Sequence, residues 1–335
     1  MIYGMLLWPH ANSRYQDAVK PLALGEMALL LRAAGLSAQP EWTRAAQTDI
    51  LRFEAPALTM RQMDMLRRHS AIYLLCQMEG DLLRPLWGPA DPFLGQDISG
   101  ILKYKGKTNE AFTRLLMNYA LCAGDFAGSF DQPLRLLDPM CGRGTALFEG
   151  LNRGYHAYGA DVDRSGLEEG RRFLKRYLEY HRIKHKSRDR ALTLPGGKNA
   201  QVRGFEIQPR ETDPGESREA AFICQDAALA AQALPKQYFH LAVCDLPYGV
   251  QHAPGGKDGF DPLLARVLPQ VYRVLKPGGA VALSFNTYTL PSDRVKGHLA
   301  EAGFQVCQDA PYGGLTHWVE QAILRDVAVG VKRSH

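Results

Sequence analysis

The stretch that constrains this chain most runs from Leu134 to Asn152. A short apolar strand pattern, Leu134–Asp138, leads directly into Pro139-Met140-Cys141-Gly142-Arg143-Gly144-Thr145, and a helical pattern follows at Thr145–Asn152. Gly142 and Gly144 lack Cβ, so the backbone there can turn tightly and approach a ligand closely. The alternation then continues. His156–Asp161 reads as a strand and Leu167–Lys184 as a long basic helix. Phe222–Cys224, Leu241–Cys244 and Ala280–Phe285 read as strands, with helices at Leu263–Leu275 and Asp293–Ala302. This pattern predicts an α/β fold with a parallel sheet covered on both faces. The last apolar run, Trp318–Val329, is expected to pair back as an antiparallel strand at the sheet edge.

At roughly 150 residues per domain, 335 residues leave room for a second unit upstream. Residues 2–8 read as a strand, Asp17 to Ala34 as a helix, Asp49–Phe53 as a strand, and Thr59 caps a helix running to His69. Ala71–Gln77 and Asp81–Leu86 form a strand pair around Glu79-Gly80. The expected organisation is a small α+β, ferredoxin-like unit at 1–95, a linker and leading helix at 96–125, and the alternating unit at 126–335. Ser187 to Arg218, within a basic insertion at about 184–220, is rich in Gly, Pro and charge. It is either a disordered insertion or a functional loop. Scattered Cys76, Cys122, Cys141, Cys224, Cys244 and Cys307 point to a reducing compartment, and no metal-ligand set stands out. The start, Met1 to His10, has no basic n-region or cleavage site, and no apolar run approaches the ~18 residues of a membrane span. The expectation is a cytoplasmic protein.

The chemistry is concentrated at strand ends. The glycine loop lacks the third glycine of a dinucleotide fingerprint, and Asp138 at the strand end would oppose a pyrophosphate. S-adenosylmethionine, with its ammonium and sulfonium, suits an acidic strand end. Asp161, with Asp163 in reserve, is placed to bind ribose hydroxyls; the alternative is that both only cap the next helix. Asp226 ends the third strand, where a carboxylate would meet an adenine amino group. Asp245-Leu246-Pro247-Tyr248-Gly249 follows the strand Leu241–Cys244. Pro247 stops that strand, Asp245 and the Leu246 carbonyl can accept the two N–H bonds of an exocyclic amine, and Tyr248 offers a face for a base. The plainer alternative is a turn closing a strand.

These motifs together resemble a class I S-adenosylmethionine-dependent methyltransferase, with its Rossmann-like sheet and antiparallel strand. The Asp-x-Pro-Tyr signature is shared by enzymes acting on adenine N6, cytosine N4 and guanine N2. The segment Lys103-Tyr104-Lys105-Gly106-Lys107-Thr108-Asn109-Glu110-Ala111-Phe112-Thr113-Arg114-Leu115 and the run His317-Trp318-Val319-Glu320-Gln321-Ala322 are similar to the tRNA guanosine-N2 methyltransferases that modify guanosine 10. That resemblance implies a cofactor site of Asp138, Pro139, Gly142, Gly144, Thr145, Asp161 and Asp226. It implies an amino-group site of Asp245, Pro247 and Tyr248, and sets Thr108 and Asn109 toward the cofactor's methionine end. Members of that family usually add a THUMP domain that grips tRNA; about 95 residues precede the linker here, enough for the ferredoxin-like part alone. Arg143 and Leu246 stand where the family has a small residue and, more often, proline.

The formal net charge is +5, but residues 171–190 carry nine basic side chains against Glu179 and Asp189, a local +7 that leaves the rest at −2. Arg171, Arg172, Lys175 and Arg176 are therefore expected to face RNA phosphates, the competing view being a merely solvated helix face. Phe173, Tyr177 and Tyr180 either pack on the sheet or stack on bases. The reading is methyl transfer to an exocyclic amine in RNA, with guanine N2 of tRNA foremost. Its rivals are a DNA adenine or cytosine methyltransferase and a non-catalytic RNA-binding protein on the same fold.

Overall fold

The computed structural model describes residues 1–9, 12–45, 47–80, 82–86, 92–95, 97–104, 107–209, 215–247 and 260–333. The first sheet is built from β1 (Ile2–Leu7), β2 (Glu41–Ala45), β3 (Thr48–Glu54), β4 (Ile72–Glu79) and β5 (Leu82–Pro85), in the order β2-β3-β1-β4-β5. Its neighbours all pair antiparallel. Helices α1 (Ser13–Ala33) and α2 (Met60–Leu66) complete a β-α-β-β-α-β order, the ferredoxin-like arrangement, with β5 added as a hairpin. Thr59 caps α2 with a reciprocal box: its hydroxyl accepts from the Gln62 amide, and the Gln62 side chain accepts from the Thr59 amide. The sequence pattern missed β2, whose Glu41-Trp42-Thr43-Arg44-Ala45 has one large apolar residue.

A linking stretch with α3 (Ile98–Ile101) leads to α4 (Glu110–Ala123) and the second sheet. Its strands are β6 (Arg135–Asp138), β7 (His156–Asp161), β8 (His185–Ser187), β9 (Arg190–Thr193), β10 (Asn199–Ile207), β11 (Arg218–Cys224), β12 (Phe239–Asp245), β13 (Leu275–Asn286), β14 (Gln305–Val306), β15 (His317–Glu320) and β16 (Ile323–Val331). Its helices are α5 (Thr145–Asn152), α6 (Arg164–Tyr180), α7 (Ala227–Ala233), α8 (Asp261–Val274) and α9 (Ser292–Glu301). The strand order is β14-β16-β13-β12-β6-β7-β11-β10-β8, with β9 beside β10 and β15 beside β16. The five strands from β13 to β11 are parallel. Chain order runs outward one way from β6 through β7 to β11, then the other way through β12 and β13. The reversal leaves a crevice outside the carboxyl ends of β6 and β12.

Burial on both faces follows the two-residue strand period. In β12, Leu241 and Val243 belong to one core layer, while Ala242 and Cys244 belong to the opposite one. The antiparallel return is β16; it lies between β13 and the two-residue edge strand β14, one place in from the edge.

Three local expectations change. The basic helix ends at Tyr180, not Lys184, because Arg182 takes a left-handed φ of 54° and the chain turns into β8. The Gly- and charge-rich stretch that follows is neither disordered nor a loop over its described part. It forms β8, β9 and β10, which extend the sheet antiparallel beyond β11. Its local composition is poor for strands, but β11 offers an open edge and Ala200, Val202, Phe205 and Ile207 are buried. Residues 210–214 lie outside the described residues. Helix α7 went unread because its alanines give little contrast between faces.

Helix α4 joins the two sheets. The fully buried Glu26 of α1 accepts from the Ser70 amide at 2.7 Å, from the Ser70 hydroxyl at 2.6 Å and from the Asn118 side chain of α4. Asn118 in turn accepts from Arg153 at 2.7 Å, and Tyr119 donates to the Leu22 carbonyl at 3.2 Å. One continuous apolar core runs from Tyr3, Met5 and Phe53 of the first sheet through Leu116 and Tyr119 to Leu241 and Val329 of the second.

Candidate active site

Four parallel strands deliver polar side chains to the crevice: Asp138 from β6, Asp161 from β7, Asp245 from β12 and Ser284 from β13. Register places Asp245 opposite Ser284. The glycine loop bridges the first two ends. Asp138 Oδ1 accepts from the Met140 amide at 3.1 Å, and the Cys141 amide donates to the Ala160 carbonyl at 2.9 Å. The Gly142 amide then donates to Asp161 Oδ2 at 2.8 Å. Gly142 has φ 52° and Gly144 φ 96°, a region that side chains rarely adopt. A Cβ on Gly142 would meet nothing within 4 Å, so this turn of backbone borders open space. Gly144 caps α5 without a side-chain hydrogen bond to its first turn.

Asp161 does not cap α6. Asp163 does, accepting from the Ser165 amide at 3.0 Å, while Asp161 Oδ1 accepts from the Asp163 amide at 2.9 Å. Val162, between them, is 73% exposed and gives the crevice an apolar flank. Asp138 is almost completely buried, and that burial, with the Asp161 and Asp245 charges nearby, pushes its carboxyl up to about 8 against one opposing amide bond. A site that concentrates carboxylates this way favours a cation.

The linking segment closes over the loop. Tyr104 bonds Thr145 through their hydroxyls at 3.3 Å, and the Arg143 guanidinium lies 4.3 Å over the Tyr104 ring while pairing with Glu169 at 2.7 Å. Arg143, the departure from the usual small residue, is thus folded back out of the loop. Thr108 donates to Asp245 Oδ2 at 2.6 Å and Ser284 donates to Asp245 Oδ1 at 2.7 Å. Two hydroxyls from distant segments therefore fix the carboxylate plane. Asn109, next to Thr108, caps α4 by accepting from the Phe112 amide at 3.1 Å.

Further residues surround Asp245. Tyr15 of α1 hydrogen-bonds Arg325 of β16 and feels the Asp245 charge, although burial is the main cause of its raised value. The Arg325 guanidinium carbon lies 4.0 Å over the ring centre of Phe112 of α4. His317 of β15 pairs with Arg325 across the strand ladder, with its ring 5.5 Å from Phe112.

The fold thus brings Asp138, Pro139, Gly142, Gly144, Thr145, Asp161, Thr108, Asp245 and Pro247 to one end of the sheet. Tyr248 lies outside the described residues, as do Lys105, Gly106 and Gly249. Asp226 has other partners: its Oδ1 caps α7 through the Ala228 and Leu229 amides, and its Oδ2 pairs with Arg266 at 3.2 Å. A carboxylate at a strand end looks the same in sequence whether it caps the next helix or meets a ligand.

On α6, Arg172, Lys175 and Arg176 are exposed, and Tyr180 is 84% exposed. Phe173 packs on Phe148, and Tyr177 is buried and donates to Asp97 at 2.8 Å. Arg171 is tucked against Glu168 and the Phe205 ring. Two of the nine basic side chains are offset across strands, Arg188 by Glu206 and Arg190 by Glu219. Sequence reasoning did not find Tyr15, Tyr104, Ser284 or Arg325. Tyr104 lay inside a segment singled out for its resemblance, and Ser284 and Arg325 lay in segments read only as strands; Tyr15, Ser284 and Arg325 reach the site through strand register and helix packing.

Residues 127–303 match the family described as UPF0020, RMKL-like methyltransferase domain. Among curated proteins none matches the chain. Similar solved structures include TrmN from Thermus thermophilus, 17% identical over 90% of this chain and 64% of that one, with a TM-score of 0.44. The chain therefore spans less than two thirds of that protein. Magnesium protoporphyrin IX methyltransferase from Synechocystis PCC 6803, solved with bound S-adenosylmethionine, is 14% identical over 69% of this chain and 87% of that one, with a TM-score of 0.38. A methyltransferase from Pyrococcus furiosus is 14% identical over 70% and 89%, with a TM-score of 0.39. The crevice fits S-adenosylmethionine: clustered carboxylates suit its positive charges, open space borders Gly142 and Val162 supplies an apolar flank. The matched family segment spans more than half of the chain and carries the glycine loop, Asp161 and Asp245, so the chain belongs to the RMKL-like methyltransferase domain family and its cofactor is S-adenosylmethionine.

Proposed function

We propose that the protein methylates the N2 amine of a guanine in RNA, with tRNA as the substrate class. The carrying observation is the Asp245 carboxylate, fixed by Thr108 and Ser284 at a strand end beside the acidic crevice. An exocyclic amine is a poor nucleophile because its lone pair is delocalised into the ring. Bound S-adenosylmethionine would supply the methyl group from its sulfonium, whose methyl carbon–sulfur bond breaks to leave a neutral thioether. Asp161 and the Gly142–Thr145 turn hold its nucleoside, and Asp138 its amino-acid end. Asp245 and the Leu246 carbonyl accept the two N–H bonds of the amine and draw it toward tetrahedral geometry. As the nitrogen–carbon bond forms, the amine becomes cationic, and Asp245 takes the released proton. Pro247 holds the Leu246 carbonyl in direction, and Tyr248 is assigned to stack on the base.

In this reading residues 1–95 and 96–125 position the transfer unit at 126–335 on its RNA. The exposed side chains of Arg172, Lys175 and Arg176 meet phosphates. They lie about 12 to 18 Å along α6 from Arg164, at 1.5 Å per residue. That distance suits a polynucleotide held at one end in the crevice.

Labelled-methyl transfer to total tRNA, rRNA and DNA, followed by nucleoside mass spectrometry, is the test. N2-methylguanosine from tRNA is the expected product, and Asp245→Ala is expected to abolish it. Label found only in DNA adenine or cytosine, or an Asp245→Ala protein at full activity, refutes the reading.

A further inference from the structure

His317 is 3% exposed, and its two ring nitrogens are treated differently. Nδ1 lies 2.9 Å from the Leu315 carbonyl. A carbonyl only accepts, so Nδ1 carries the hydrogen and the neutral ring presents Nε2 as a bare acceptor. Among the described residues, Nε2 is buried with no hydrogen-bond partner. A buried acceptor left unmatched is a standing cost in the free protein that a ligand N–H would remove.

The surroundings keep the ring neutral and close to Asp245. Burial is the main cause that lowers His317 to about 4; Arg325 lowers it further, while the Leu315 bond and the Asp326 and Asp245 charges act the other way. Phe112 and Arg325 flank the imidazole, and α4, which carries Phe112, begins directly after Thr108 and Asn109. The Thr108 hydroxyl is the one that holds Asp245.

We propose that His317 is a specificity residue whose Nε2 accepts the ring N–H adjacent to the reacting amine. This rests on the reading of the protein as a guanine-N2 methyltransferase. Guanine presents two donors side by side, the N2 amine and N1–H. Asp245 and the Leu246 carbonyl take the first, and His317 takes the second. Adenine carries an acceptor at N1, whose lone pair would face the Nε2 lone pair, so the same atom admits guanine and turns adenine away. Sites built to hydrogen-bond a substrate N–H reject an analogue lacking it by about 10⁴-fold, far beyond what apolar fit provides.

The test compares the mapped tRNA target carrying guanosine with the same RNA carrying 2-aminopurine, which keeps the amine but has no N1–H. The intact protein is expected to prefer guanosine by at least ~10³-fold in kcat/KM. His317→Leu is expected to lose ~10²-fold on guanosine and little on 2-aminopurine, narrowing the preference at least tenfold. His317→Gln, which retains an acceptor, is expected to keep part of the preference, with S-adenosylmethionine affinity unchanged by calorimetry in both variants. Equal losses on the two substrates, or a preference untouched in both variants, overturn the assignment while leaving guanine methylation standing. An intact protein that methylates no guanine in any RNA overturns the underlying reading and the assignment with it.

Discussion

Gly170 of α6 provides a sharp test of how the glycine loop is held. A Cβ added there would lie 2.1 Å from the Arg143 carbonyl oxygen and 2.9 Å from its carbon, both backbone atoms. Ordinary contact begins near 3.4 Å, so Gly170→Ala must push α6 and the loop apart by about 1 Å. Two effects oppose each other. Alanine in a helix interior gains about 0.8–1.0 kcal/mol over glycine, whereas overpacking costs about 1–3 kcal/mol. Backbone against backbone has no flexible side chain to yield, which places the cost at the upper end and the net destabilisation at about 1–2 kcal/mol. The control is Gly297→Ala in α9, where a Cβ meets nothing within 4 Å and φ is not left-handed. That change keeps only the propensity gain. Thermal unfolding should show the melting temperature falling by a few degrees for Gly170→Ala and rising for Gly297→Ala. Because Arg143 sits between Gly142 and Gly144, a shift of this size also spoils the loop's hydrogen bonds. Calorimetric affinity for S-adenosylmethionine should fall by about tenfold or more in the first variant and stay level in the second. A Gly170→Ala protein as stable as the control, with unchanged cofactor affinity, would show that this close approach does not hold the loop.

Three further outcomes are expected. Asp138 is pushed up to about 8; a raised carboxyl favours the fold fully below its ordinary value near 4 and loses that contribution as pH rises through 8. Near pH 7 the binding of a cationic cofactor should therefore release a proton, seen as a dependence of calorimetric enthalpy on buffer; the release should vanish in Asp138→Asn, and its absence from the intact protein contradicts the role given to Asp138. Glu26→Ala leaves the Ser70 amide and hydroxyl buried without their acceptor, while the Asn118 amide group keeps the Arg68 carbonyl, so urea unfolding should register a loss of about 2 kcal/mol or more; a change below 1 kcal/mol would mean the network contributes little. Replacing Arg172, Lys175 and Arg176 with Glu should weaken RNA binding in a gel assay and flatten its salt dependence while leaving cofactor affinity intact. Unchanged RNA binding would leave the α6 face as a solvated surface.

The helices and strands of the second sheet were legible wherever periodicity and glycine placement were strong. The loop from Asp138 to Thr145 and the stop at Pro247 were legible because Gly and Pro restrict backbone angles within a few residues. Asp226 shows the limit of that logic, since the same short pattern serves a helix cap and a ligand acceptor. The 185–207 stretch shows another limit. Its strands depend on the edge of β11 and on acids such as Glu206 and Glu219 that offset its basic run.

By itself the sequence determined the parallel sheet, the glycine turn and the acidic strand ends, because each is a local property of backbone conformation and two- or 3.6-residue periodicity. Tertiary structure alone decided how Asp245 is held and what faces it. Thr108 stands 137 residues upstream, Ser284 39 residues downstream, and Tyr15 and Arg325 come from opposite ends of the chain. Such meetings depend on strand register and on helix α4 packing between two sheets. A one-residue slip in either strand would turn the side chains to the other face, and no local pattern encodes that distance.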